Sequence, residues 1–126
     1  MEFKNKTVLI LGGNSDVGKS LAKDFGELGS NLILTSRKEG QLDSFKSDLE
    51  IRNEINCDVQ LFDVLDFKSH DTFYKNLKTK PDIVITCIGH LDNQEKSQID
   101  FQESLTSIQT NFTGLVSILN IISNDF

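Results

Sequence analysis

Gly12-Gly13-Asn14-Ser15-Asp16-Val17-Gly18 stands between a short apolar run and a helical pattern. It is the first segment whose residue types and spacing suggest chemistry. Glycines at such a junction permit a tight turn and let backbone N–H groups and a helix N-terminus approach a pyrophosphate. The spacing is not G-x-G-x-x-G, because no glycine stands at positions 14 and 17. Asp16 sets a carboxylate where it would repel a phosphate unless it turns aside to cap the helix. A plain glycine turn with Asp16 as the N-cap is the alternative. Ser15 and the backbone donors are still candidates for an anion, with Lys19 softening the local charge.

Positioning such a turn requires a strand before it and a helix after it, and the chain supplies that rhythm repeatedly. Thr7–Leu11, Asn31–Thr35 and Asp82–Ile88 are continuous apolar runs, and Cys57–Phe62 alternates. Runs of this length suit strands covered on both faces, as in a parallel sheet. Between them, Val17, Leu21, Phe25 and Leu28 step at helical spacing until Gly29. Leu42, Phe45, Leu49 and Ile51 line a second helix, and Phe67, Phe73 and Leu77 a third that stops before Pro81. Leu105, Ile108, Phe112, Leu115, Leu119 and Ile122 form one long final stripe. Alternating β and α elements imply an α/β, Rossmann-type, doubly wound parallel sheet, partial, in the order 3-2-1-4 with strand 4 as an unpaired edge.

The 126 residues suit one domain. A net charge of -6 argues against nucleic-acid and anionic-membrane partners, which need clustered Lys and Arg. The N-terminal apolar run falls far short of the roughly 20 residues of a spanning helix, so neither a signal peptide nor membrane insertion is expected. Cys57 and Cys87 each fall inside an expected strand and lack metal-ligand spacing, which suits buried, reduced thiols of a cytoplasmic protein with no metal.

The glycine segment resembles the T-G-x-x-x-G-x-G turn of short-chain dehydrogenases/reductases, with Gly12 and Gly18 as outer glycines. Leu11 replaces the usual Thr, and Asp16 replaces the middle glycine. Four further segments match in order. Ser36-Arg37-Lys38 ends the second strand, where dinucleotide folds meet the adenosine ribose. Ser36 holds the usual acidic position without an acid, and a guanidinium grips phosphate bidentately, so NADP(H) is favoured over NAD(H). Solvated loop cations are the alternative. Asp63-Val64 resembles the family's Asp-Val/Leu, whose carboxylate approaches the adenine amino group; Asp63 as a helix cap is the other reading. Cys87-Ile88-Gly89 falls where the family has Asn-Ala-Gly, keeping the glycine beside the cofactor ribose. His90 follows and is read as an ordinary loop histidine. Asn111 in Asn111-Phe112-Thr113-Gly114 matches N-x-x-G, which implies that it orders a proton-relay water beside a catalytic lysine. Asn and Gly are unfavourable inside a helix, so their presence there wants a reason; loose helix–helix packing is the alternative.

The resemblance covers the whole chain and implies the cofactor-binding part of an oxidoreductase. Its hydride transfer would join NADP(H) to a small carbonyl or alcohol substrate. The family's catalytic Ser, Tyr and Lys are expected beyond a fifth strand, past Phe126, so this chain alone is expected to be inactive. Tyr74-x-x-x-Lys78 copies the family's Tyr-Lys spacing. It is read as a solvent-facing pair, since Tyr74 is roughly eight residues down its helix, about 12 Å from the cofactor-side end. The last helix implies a homo-oligomer. An inactive nucleotide-binding module, or a truncated remnant, is the competing function.

Overall fold

The computed structural model describes residues 2–89 and 100–126. His90 lies outside the described residues. The chain divides into two compact units, Met1–Phe62 with Leu77–Cys87, and Asp63–Asn76 with Ile88–Phe126.

The first unit holds β1 (Thr7–Leu11), α1 (Asp16–Glu27), β2 (Asn31–Ser36), α2 (Asp43–Asn53), β3 (Cys57–Leu61) and β4 (Ile83–Thr86). Among the described residues the strands form one sheet in the order β3-β2-β1-β4, all pairs parallel, as the sequence implies. Every residue of β1 is buried, which explains its unbroken apolar run. Val8, Ile10, Leu32 and Leu34 pack with Ala22 of α1, Leu49 of α2, and Leu42 and Cys57. Alternate residues of β1 and β2 therefore make one core face.

Two stripes differ from the sequence expectation. On α1 the buried residues are Gly18, Ala22 and Gly26, flanked by the half-buried Leu21 and Phe25, while Val17 is 64% exposed and Leu28 is also exposed. Small residues line the inner stripe because the helix lies close to its neighbours: a Cβ at Gly26 would meet Asn53 Nδ2 at 2.9 Å. A count of large apolar residues misses such a face. On α2, Ile51 is exposed rather than core. Gly29 does end α1: its φ of +84° is the left-handed turn that follows a helix, and Ser30 N–H reaches back to the Phe25 carbonyl.

Cys57 opens β3 and is buried, whereas Cys87 lies just past β4 and is half-buried, so only one of the two sits in a strand. Both are free thiols. Burial, with Glu50 and Asp58 nearby, pushes the Cys57 thiol up to about 12 against a weaker opposing effect of Lys46; burial also raises Cys87.

In the second unit a 3₁₀ turn (Phe67–Ser69) leads into α3 (His70–Lys75). The final helical run has three parts: α4 (Phe101–Ile108), a π-helical segment (Gln109–Thr113) and α5 (Gly114–Asp125). The π segment corrects the single long stripe. An i→i+5 turn shifts the register, so Ile108 and Phe112 are exposed while Thr110, Gly114, Ile118 and Ile122 are buried. Phe101–Asp125 has the length and a mean hydropathy of 1.2 that suffice, by composition alone, to cross a bilayer. Polar groups on α5 are instead engaged within the unit, through Asp125 with Tyr74 and Ser117 with His70. Tyr74 is buried and donates its hydroxyl to Asp125 Oδ2 at 2.7 Å, so it is not the solvent-facing partner of an exposed Lys78. That burial and the Asp125 hydrogen bond raise its phenol to about 12.

Candidate functional site

The glycine turn is assembled by its own hydrogen bonds and by one residue of β2. Ser15, not Asp16, is the N-cap of α1: its Oγ accepts from Gly18 N–H at 3.0 Å and donates to the Gly12 carbonyl at 2.9 Å. The Ser15 hydroxyl is thereby committed to the turn itself. Asp16 is the first helical residue, exposed, where a negative side chain is favoured by the helix N-terminus. Lys19 sits over the Phe45 ring, 5.8 Å from its centroid.

Thr35, which the sequence reading passed over, ties this turn to β2. Its Oγ1 accepts from Gly12 N–H at 2.9 Å, and its carbonyl accepts from Gly13 N–H at 2.9 Å. The signal for it was a hydroxyl within an apolar strand, one step before Ser36. Glycine is required at two points here. Gly12 has a φ of +89°, and a Cβ on Gly18 would land on the Gly12 carbonyl oxygen. The N–H groups of Gly12, Gly13, Ser15, Gly18 and Lys19 all have acceptors within the first unit. Those of Asn14, Asp16 and Val17 take no acceptor among the described residues, and all three residues are exposed. A turn with three unsatisfied donors at a helix N-terminus fits an anionic group such as a pyrophosphate.

At the end of β2, Ser36 is buried and its hydroxyl donates to the Lys38 carbonyl at 2.9 Å, which curls the loop. Arg37 and Lys38 are exposed. Cys87 N–H donates to the Leu11 carbonyl at 2.7 Å, extending the β1–β4 ladder one residue past the strand.

The second unit carries the remaining candidates. Asp63 is exposed; its Oδ1 accepts from Leu65 N–H at 2.9 Å and its carbonyl from Asp66 N–H at 3.1 Å. It therefore caps a turn rather than the helix itself. Val64 is buried, and a Cβ on Gly114 would come within 2.5 Å of its carbonyl oxygen and 2.6 Å of its Cγ2. This close approach is the reason a glycine stands at position 114. Asn111 lies at the centre of the π segment, with Oδ1 3.5 Å from the position of a Cβ on Gly89. Asn111 and Gly89 are thus neighbours, and Ile88 leads into that glycine. His70 and Ser117 also belong to this turn and escaped the sequence reading, since neither has a local motif.

Residues 6–126 match the short chain dehydrogenase family. The chain is 30% identical over 119 residues to sulfoacetaldehyde reductase 2 of Chromohalobacter salexigens, covering 91% of this chain and 46% of that protein. It is 26% identical over 122 residues to the NADP-dependent 3-hydroxy acid dehydrogenase of Schizosaccharomyces pombe, covering 93% and 47%. A short-chain type dehydrogenase/reductase from Mycobacterium ulcerans superposes with a TM-score of 0.84 at 18% identity, covering 98% of this chain and 47% of that one. The chain spans about half or less of the length of the curated relatives it matches. With its sheet order, its glycine turn and a family match from residue 6 to residue 126, the chain belongs to the short-chain dehydrogenases, as the N-terminal part of that fold.

Proposed function

We propose that this chain is the cofactor-binding part of an oxidoreductase that transfers hydride between NADP(H) and a carbonyl or alcohol substrate. The observation that carries the reading is the glycine turn, with three N–H groups at Asn14, Asp16 and Val17 that take no acceptor among the described residues and no room for a side chain at Gly18. Those donors would take the pyrophosphate. The bound cofactor would supply the hydride; the protein's part is to hold and orient it. Asp63, with its Oδ1 engaged by Leu65 N–H, would offer its carboxylate to the adenine amino group. Gly89 would let the backbone pass close to the ribose, and Asn111 beside it would order a water for proton relay.

The preference for NADP(H) rests on the loop after β2. Ser36 stands where the family's acid would meet a ribose 2′-hydroxyl and presents none, and Arg37 and Lys38 beside it are exposed. The relative from S. pombe is named as NADP-dependent. The assay is direct titration with both cofactors. Arg37→Ala should weaken NADPH binding about tenfold or more, the scale of a lost charge-assisted contact, and leave NADH within about twofold. Equal losses for the two would refute the 2′-phosphate role.

An exposed apolar stripe of Ile108, Phe112, Val116 and Leu119 supports self-association through the last helix, or cover by a further part of the fold. The free thiols suit a reducing, cytoplasmic setting.

A further inference from the structure

The buried histidine of α3 has no part in the assignments above. His70 is fully buried, its ring edge-on to Phe67 at a centroid distance of 6.0 Å. Nε2 lies 3.1 Å from the Asp63 carbonyl oxygen, and Nδ1 lies 2.8 Å from Ser117 Oγ on α5. A carbonyl oxygen only accepts, so Nε2 carries the proton and donates. With the proton on Nε2 alone, Nδ1 accepts from the Ser117 hydroxyl; this is the tautomer the proposal requires.

The same carbonyl also accepts from Asp66 N–H at 3.1 Å, so two donors, one of them a side chain, fix the peptide that follows Asp63. Val64, the next residue, presses on Gly114, one turn before Ser117 on the same helix. The Asp63 turn is thus pinned to α5 at two levels, by Val64 against Gly114 and by His70 through Ser117. Burial of an imidazole with both ring nitrogens engaged fixes geometry more than a hydrophobic side chain of that size would.

We propose that His70 is the positioning residue of the Asp63 turn: its Nε2–H holds the Asp63 carbonyl, Ser117 sets its ring, and together they aim the Asp63 carboxylate at the adenine. This rests on the adenine role of Asp63 proposed above. It predicts that the two ring nitrogens are not equivalent in effect. Gln places an amide N–H near the Nε2 position, and Asn places one near Nδ1. His70→Gln should keep the bond to Asp63, and His70→Asn should lose it.

The test uses the full chain and three readouts. Imidazole nitrogen spectra of the unsubstituted protein should report the Nε2–H tautomer. Amide exchange at Asp66 should stay slow in His70→Gln and accelerate at least about tenfold in His70→Asn, the factor for losing roughly one hydrogen bond. Titration with NADPH and with reduced nicotinamide mononucleotide, which lacks adenine, separates positioning from general loosening. NADPH affinity should fall about fivefold to tenfold in His70→Asn and stay within about twofold in His70→Gln, with the mononucleotide unchanged in both. An Nδ1–H tautomer, equal exchange rates in Gln and Asn variants, or parallel losses for both ligands would overturn the proposal. If the unsubstituted protein binds no dinucleotide, the cofactor reading fails, and the tautomer and exchange results still decide whether His70 holds the turn.

Discussion

Replacing Thr35 with Val isolates the bond that ties the phosphate-type turn to the sheet. The two side chains have the same shape, and position 35 is 1% exposed, so neither a cavity nor a clash contributes. What disappears is the acceptor for Gly12 N–H at 2.9 Å and a weak donation to the Ile10 carbonyl at 3.5 Å. The longer contact is at the limit of a hydrogen bond and contributes little. Leaving the partly buried Gly12 N–H without an acceptor costs about 1–3 kcal/mol, and the extra buried methyl offsets up to about 0.8 kcal/mol of that. The net loss is about 0.2–2.2 kcal/mol, a fall in Tm of about 1–8 °C for a chain of this length. Urea denaturation followed by circular dichroism measures it, with Gly12 amide exchange reporting on the bond itself. Thr35→Ser keeps the hydroxyl and should retain the slow Gly12 exchange. A Val variant as stable as the parent, with Gly12 exchange unchanged, would show that the turn does not depend on β2.

Two further outcomes follow from close packing and burial. Gly114→Ala gains about 1 kcal/mol of helix propensity but sets a methyl 2.5 Å from the Val64 carbonyl oxygen, and overpacking of about 1–3 kcal/mol should win. Thermal or urea melting should therefore show Ala as the less stable variant, whereas an exposed helical glycine would show the reverse. For the cysteines, a thiol raised to about 12 leaves a thiolate fraction of about 10⁻⁴ at pH 8, so Cys57 should resist a disulfide reagent in the folded state. Because its folded value lies above the ordinary 9.0, its contribution to stability is complete below pH 9 and fades as pH rises toward 12. Labelling at pH 8 with mass mapping, and melts between pH 8 and 11, check both statements.

Local pattern was enough for the sheet and for the order of the candidate segments. The buried strands are continuous in Val, Ile and Leu because both faces are covered, and right-handed crossovers leave few ways to arrange them. Gly29 marked the end of α1 because only a residue at ease with positive φ suits that turn. Gly12 marked the anion-type turn for the same local reason, and Gly18 because a Cβ there would meet the Gly12 carbonyl oxygen. The family resemblance then assigned chemical expectations to positions that pattern alone could only flag.

Tertiary structure decided everything that depends on distant partners. Which residue caps α1 turned on whether Ser15 or Asp16 reached the Gly18 N–H, and both types make good caps. The inner face of α1 is small because α2 and the sheet come close, which no count of large apolar residues reveals. The π segment rotated the last helix away from its expected stripe, since a one-residue register shift leaves no trace in composition. Thr35, His70 and Ser117 acquire their roles across separations of 23, 7 and 47 residues. Sequence fixes helices, strands and turns through neighbours a few residues apart; hydrogen bonds between such distant groups exist only once the chain has folded around them.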